Sequence, residues 1–165
     1  MKNIYFTTLL LLLSNYILAQ NNTELQKMYD DDQSERMVKN IDWTILSKKD
    51  KEREKRVFEM IEAGEITTGK DYYNSAMILQ NGNDTIASKM AVGHMKKAIN
   101  LDSTINKWLL AAAIDRDLMR RDKPQIYGTQ YVKNDKTGGK WKLYTIDPSK
   151  ITDEERKYYN VETLE

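Results

Sequence analysis

The stretch Lys123-Pro124-Gln125-Ile126-Tyr127-Gly128-Thr129-Gln130 divides the sequence into two parts with different periodicity. Before it, apolar residues recur at the spacing of amphipathic helices. After it, the segments 126–133 and 140–146 are β-prone and are separated by a glycine-containing turn at 134–139. This order predicts a helical region followed by a C-terminal β-hairpin.

Amphipathic periodicity and capping residues predict five helices before the hairpin. Ser47 and Asp84 are candidate N-caps, and Gly64 is a candidate left-handed stop. The fourth helix has an apolar face that begins at Ile86. The predicted helices cover Glu24–Lys39, the segment from Ser47 to Gly64, Asp71–Gln80, the segment from Asp84 through Ile99, and Thr104–Arg121.

The predicted fold class is mainly α, a tetratricopeptide-like bundle of helix hairpins that carries a β-hairpin and a short terminal helix. An offset of 36 residues places the third helix on the fifth, with Ala76 on Ala112. This offset is close to the period of tetratricopeptide helix pairs. Thr152 and Glu155 form a capping box for the terminal helix.

The first residues have the pattern of an export signal. Lys2 is followed by the uncharged, leucine-rich run Asn3–Leu18, which is shorter than the roughly 20 apolar residues of a spanning helix. We predict cleavage after Ala19, which leaves one domain at 20–165 in the periplasm or outside the cell, without a membrane span. The alternative is an uncleaved N-terminal anchor.

Composition narrows the classes of partner. The 26 Lys and Arg residues include only Lys2 in the predicted signal, which leaves 25 cations against 25 acids. This balance disfavours nucleic acid as a partner, so we expect an unidentified ligand or protein of the cell envelope. The absence of cysteine excludes a lipid-anchored lipoprotein and disulfide bonds.

Several charged or polar features have ordinary interpretations. The run Asp30-Asp31-Asp32 reads as a solvated helix face with an Asp32–Arg36 pair, because adjacent carboxylates point to different sides of a helix. The run Lys48–Arg56 mixes signs and reads as an exposed helical flank. His94 lies among apolar residues and reads as a helix-flank or core histidine. No metal or cofactor is expected.

The candidate site begins at Asp115 and Arg116, within an alanine-rich helix. Buried charges require partners, and the loop that follows supplies Gln125, Tyr127 and Gln130. Two interpretations stay open. Arg116 holds backbone carbonyls of the loop, or the same groups form a polar pocket between the helices and the hairpin.

Three groups of residues resemble an uncharacterised bacterial family, the domain of unknown function 6624. They are Asp32-Gln33 with Arg36, the segment from Asp71 to Gln80, and Asp115-Arg116 followed by Pro124–Gln130. The resemblance implies a histidine where this chain has Asn81. An asparagine cannot replace a general base or a metal ligand, but it can replace a hydrogen-bonding group.

The resemblance implies no settled activity, so two functions stay open, beside a purely structural role in the envelope. The first is a ligand- or protein-binding module of the envelope. The alternative is an envelope hydrolase or its degenerate relative, with Asp115 as acid or base. No catalytic residue is assigned; the candidate binding residues are Asn81, Asp115, Arg116, Gln125, Tyr127 and Gln130.

Overall fold

The computed structural model describes residues 20–133 and 139–164. Within these residues the chain forms six α-helices and one two-stranded antiparallel hairpin. The mainly helical fold class with a hairpin and a short terminal helix is therefore confirmed. The elements are α1 (Thr23–Arg36), α2 (Trp43–Glu62), α3 (Gly69–Leu79), α4 (Thr85–Leu101), α5 (Trp108–Arg120), β1 (Tyr131–Val132), β2 (Lys142–Leu143), a 3-10 turn (Pro148–Lys150) and α6 (Asp153–Tyr158).

Two predictions concern residues outside the described part of the chain. The export signal with its cleavage point at Ala19 falls in 1–19, and the turn of the hairpin falls mostly in 134–138. Among the described residues, no helix has the length and the apolar character needed to cross a membrane.

Side-chain caps fix most helix starts. Asp84 caps α4 as predicted, and Thr152 with Glu155 forms the predicted capping box of α6. The predicted cap at Ser47 is wrong, because Asp42 accepts the amides of the first turn and α2 begins one residue later. Gly64 adopts the predicted left-handed conformation after α2, with φ of 70°.

Two predicted helices are too long. α1 ends at Arg36 instead of Lys39, and Met37, the next residue, is 83% exposed. A longer helix would therefore gain no stability from burial of Met37. α5 begins at Trp108 instead of Thr104, because side chains of the preceding segment capture the amides of these two residues in local turns.

The core surrounds α3, which contacts α1, α2 and α4. Leu25 of α1, Val57 of α2, Leu79 of α3 and Ala91 of α4 are buried in one cluster. A tetratricopeptide-like arrangement is not confirmed, because each unit of such a solenoid contacts only its neighbours, whereas α3 is central. Ile86 does not join the predicted apolar face of α4, since it is 68% exposed.

The hairpin is shorter than predicted. Tyr131 pairs with Leu143, and Val132 pairs with Lys142. The prediction that the first strand begins at Ile126 is wrong. Amides of the segment 126–129 donate to a side chain of α5 and are not available to an opposite strand.

Candidate functional site

Asp115 organises the loop at 125–130, which we call the polar loop. Its carboxylate is fully buried on α5 and accepts four hydrogen bonds of 2.9 to 3.0 Å. The donors are the amides of Ile126, Tyr127 and Thr129 and the Thr129 hydroxyl. A carboxylate occupied in this way serves as an anchor, and the arrangement does not support Asp115 as an acid or base.

Gln125 is fully buried and joins the polar loop to the hairpin. Its amide nitrogen donates to the carbonyls of Gln130 and Tyr144, at 3.0 and 2.9 Å. Its amide oxygen accepts the Gln130 amide at 2.8 Å. All these partners are backbone groups, so Gln125 supports the loop and presents no free group to a ligand.

Arg156 of α6 performs the role predicted for Arg116. Its guanidinium is almost fully buried and donates to the carbonyl of Ile126 at 2.6 Å and to the carbonyl of Tyr127. The interpretation that Arg116 holds loop carbonyls is therefore wrong. Arg156 lies in a short run of mixed charges, and no sequence signal distinguishes it from its charged neighbours.

Arg116 instead connects the polar loop to the end of α3. Its Nε donates to Gln130 Oε1 at 3.2 Å, and its Nη1 donates to the Gln80 carbonyl at 3.4 Å. Gln130 in turn donates to the Ala112 carbonyl at 3.2 Å. Arg116 and Gln130 thus belong to one contact network, which reaches the residue before Asn81.

Arg120 joins Arg116 at the same carbonyl and is not among the predicted site residues. Its Nη2 donates to Gln80 O at 2.8 Å, whereas its buried Nη1 has no hydrogen-bond partner among the described residues. The spacing of four residues on α5 puts both arginines on one helix face. This spacing is the sequence signal that identifies Arg120.

The electrostatic surroundings of the two arginines differ from those of an ion pair. In the described part of the chain, no carboxylate oxygen lies within 4.0 Å of either guanidinium. Burial, the Arg120 charge and the Arg36 charge all lower the pKa of Arg116. Burial also lowers the pKa of Arg120, against the opposite influence of the Asp84, Glu54 and Asp117 carboxylates.

Asn81 lies beside Gln80 and binds a buried carboxylate. Its side-chain nitrogen donates to Asp32 Oδ2 at 3.0 Å and to the Met77 carbonyl at 3.2 Å. The predicted pair of Asp32 with Arg36 is present, at 3.0 Å. The interpretation of Asp32 as part of a solvated face is wrong, because Asp32 is fully buried.

Arg53 corrects the prediction that Lys48–Arg56 is wholly an exposed flank. It is buried, and it donates to Glu35 at 2.6 Å and to Asp32 at 3.4 Å. A buried carboxylate with several arginine partners joins α1 to α2. The i,i+4 spacing from Asp32 to Arg36 indicated one of these partners, but the sequence contained no signal for Arg53.

Tyr127 lies where the polar loop borders a surface cavity. The backbone of Tyr127 binds Asp115 and Arg156, and its ring meets the Tyr159 ring edge-on at 5.0 Å between centroids. Burial raises the pKa of Tyr127. The same residue lines a cavity of about 350 Å³ together with Gly128 and Thr129.

His94 is a core histidine, in agreement with the prediction. Its Nδ1 lies 2.7 Å from the hydroxyl of the fully buried Ser75, and its ring meets Tyr72 edge-on. Burial lowers the pKa of His94 to about 4, with a smaller contribution from Lys97. A buried hydroxyl that solvent does not reach is unsuited to attack a substrate.

The structure gives the predicted site residues different roles. Asp115 and Gln125 are internal supports. Arg116 and Gln130 contact each other and reach the end of α3, where Asn81 binds Asp32, and Tyr127 lines the surface cavity. No group of three or more potential metal ligands occurs among the described residues. Comparison of the chain with protein-family models, with curated proteins and with solved structures found no match.

Proposed function

We propose that the protein is an exported binding module of the cell envelope, and that Arg116 and Arg120 hold an anionic group of its ligand or partner. The observation that carries this proposal is the shortage of counter-ions. Two half-buried guanidinium groups converge on one carbonyl, and no carboxylate of the described residues lies within 4.0 Å of them. A buried charge without a partner is costly, so a bound anion would stabilise the pair.

The guanidinium N–H groups of Arg116 and Arg120 suit a carboxylate or a phosphate. A guanidinium has five N–H donors in a planar fork, and the bonds described for Arg120 use only one nitrogen. Its Nη1 is buried and has no acceptor among the described residues. Bidentate recognition of a carboxylate or phosphate uses this geometry, and it is stronger where water is scarce.

A structural role is the competing explanation for the two arginines. The carbonyl they share belongs to Gln80, which follows the last residue of α3. The carboxyl end of a helix favours cations, so both residues also cap α3. Capping alone predicts a change in stability without any effect on anion binding.

Titration calorimetry with inorganic phosphate and with succinate, at constant ionic strength, tests the proposal. We expect the purified chain 20–165 to bind one of the two anions. Arg116→Gln and Arg120→Gln are each expected to weaken that binding about tenfold, which corresponds to one charge-assisted hydrogen bond.

Arg56→Gln is the matched control, because it removes the same charge from a surface ion pair with Glu24. Its affinity is expected to equal that of the wild type. Equal affinity in Arg120→Gln, or no binding of either anion by the wild type, would contradict the proposal and favour helix capping.

Export is a separate part of the proposal, supported by the pattern of the first 19 residues. Expression of the full chain in a bacterium with subsequent fractionation tests it. We expect the protein in the periplasm or the medium, with Gln20 as its first residue by N-terminal sequencing. Recovery of the uncleaved chain in the membrane fraction would support the anchor.

A degenerate enzyme is the second candidate, favoured by the contact between Asn81 and Asp32. The Asn81 nitrogen lies 3.0 Å from a buried carboxylate, and an imidazole at the same position would acquire a carboxylate partner. Asn81→His is therefore expected to gain turnover on cell-wall or ester substrates if the enzyme proposal is correct. An inactive, folded Asn81→His protein would leave the binding module as the better proposal.

A further inference from the structure

A cavity of about 350 Å³ lies between the β-hairpin and the C-terminal segment 160–164. Neither Arg116 nor Arg120 lines it, so it is distinct from the anion site proposed above. Its volume lies within the range of small-ligand pockets, roughly 300 to 1,000 Å³. The chemistry of its ligand must therefore be inferred from its own lining residues.

Aromatic side chains border this cavity at several points. Trp108, at the start of α5, is 38% exposed, and Tyr131 of β1 is 56% exposed. Tyr127 also lines the cavity, and its ring is held edge-on against Tyr159. Tyr131 lies directly opposite Leu143 in the hairpin, so both side chains are on one face. Such rings offer flat apolar surfaces to a ligand.

Polar groups alternate with these rings. Asn160 donates its side-chain nitrogen to Asn106 Oδ1 at 3.0 Å, which orients its amide. The Thr129 hydroxyl is fixed by its bond to Asp115. Glu162 contributes an exposed carboxylate. The cavity therefore combines apolar platforms with amide, hydroxyl and carboxylate groups.

The charge of the lining restricts the ligand further. Glu162 is the charged residue that lines the cavity, and no lysine or arginine of the described residues does so. A phosphate or carboxylate ligand would meet a like charge without a compensating cation. A purely apolar ligand would make no hydrogen bond to the Asn160 amide or the Glu162 carboxylate.

We propose that this cavity is a saccharide-binding site. A sugar ring has an apolar face, which stacks on Trp108 or Tyr131, and hydroxyl groups, which donate to Glu162 and exchange hydrogen bonds with Asn160. A neutral or amino sugar satisfies both the aromatic and the acidic parts of the lining. The site is independent of the anion site in residues and in chemistry.

Tryptophan fluorescence tests this proposal directly. The chain has three tryptophans, and Trp108 alone lines the cavity. In the double variant Trp43→Phe, Trp141→Phe, emission therefore reports on the cavity. We expect a saturable change in the emission of Trp108 on titration with chitotriose or cellotriose up to about 10 mM, a range that detects weak binding.

Two further variants, made in that double variant, locate the binding site. Tyr131→Ser removes a platform and is expected to weaken sugar binding about tenfold, whereas Glu162→Gln removes a hydrogen-bond acceptor and is expected to weaken it severalfold. Val132→Ser is the matched control, because Val132 is a similarly exposed neighbour on the opposite face of β1. Val132→Ser is expected to bind the sugar as tightly as the double variant without further substitution.

Two results would overturn the proposal. The first is unchanged Trp108 emission with both sugars, in a protein whose circular dichroism shows that it is folded. The second is equal affinity of Tyr131→Ser and Val132→Ser for the sugar that binds. Loss of phosphate binding in Arg120→Gln, measured separately, has no bearing on either result.

Discussion

A single carboxylate accounts for the conformation of the polar loop. Asp115 accepts three amides and one hydroxyl from residues 11 to 14 positions later in the chain. Each of these donors would be unsatisfied without it, because the loop packs against the core at Tyr127 and Ile151. Asp115, which the enzyme alternative treats as an acid or base, is therefore an internal hydrogen-bond acceptor.

Removing this acceptor should destabilise the whole domain. We expect Asp115→Ala to lower the free energy of unfolding by about 3 to 5 kcal/mol, since several buried donors lose their partner at once. Urea denaturation measures this change. Asp117→Ala is the control, because Asp117 is two residues away and half-buried; it accepts from Arg121 and from the Ser88 hydroxyl, so its loss should cost about 1 to 2 kcal/mol. Equal losses in the two variants would contradict the anchor role.

Gly128 has a conformation that other residues adopt with strain. Its φ is +86°, and a methyl group there would lie 3.2 Å from Ile146 Cδ1. We expect Gly128→Ala to lower the melting temperature, at a cost of about 1 to 2 kcal/mol.

Gly93→Ala provides a control of opposite sign. Gly93 lies within α4, and an added methyl group would contact no atom within 4 Å. Alanine is the better helix former, so this variant should gain roughly 0.5 to 1 kcal/mol. A destabilised Gly93→Ala protein would show that substitution of glycine by itself, without strain in φ, explains the result at Gly128.

The contact between α3 and α4 contains a buried histidine that is neutral in the folded protein. His94 of α4 lies against Ser75 and Tyr72 of α3, and burial lowers its pKa from 6.5 to about 4. Above pH 6.5 the imidazole is neutral in both the folded and the unfolded chain. Below that pH the unfolded chain binds a proton that the folded chain does not, so stability falls as pH falls toward 4.

His94→Gln should remove this pH dependence. Between pH 7 and pH 4, the wild type is expected to lose about 3 kcal/mol more than the variant, which corresponds to the difference in pKa. Urea denaturation of both proteins at each pH measures it, and the carboxylates common to both cancel in the comparison. Parallel curves for the two proteins would show that His94 is not the responsible group.

At the scale of the whole molecule, a buried ionic network joins three helices. Asp32 of α1 accepts from Arg36, from Arg53 of α2 and from Asn81 at the end of α3. Asp50 is also bound to Arg36, at 2.6 Å. Because these charges are removed from water together, the loss of one leaves the others without partners.

Asp32→Ala should therefore destabilise the entire domain by about 3 to 5 kcal/mol. Asp30→Ala is a close control, because Asp30 is exposed on the same helix and binds only Gln26 among the described partners. Its effect is expected within about 0.5 kcal/mol. Calorimetric unfolding of both variants measures the difference, and a cost below 1 kcal/mol for Asp32→Ala would contradict the network.

Predictions that rest on short-range interactions agree with the structure more often than those that depend on distant residues. Asp84, Gly64 and the Thr152–Glu155 box act on amides or conformations a few residues away, and their predicted roles are confirmed. The predicted strand start at Ile126 failed, because its amide binds a helix 11 residues earlier. Periodicity describes which residues alternate but not which distant acceptor competes for a backbone amide.

The amino-acid sequence alone predicts the helical class, the caps of α4 and α6, the stop at Gly64 and the place of the hairpin after the helices. These depend on local propensity and on short-range hydrogen bonds, which follow from neighbouring residues. Long-range packing sets which arginine binds the polar loop, which aspartate is buried and which arginines have no carboxylate within 4.0 Å among the described residues. Arg116 and Arg156 are chemically identical, and their partners are set by the packing of α5, α6 and the loop against one another.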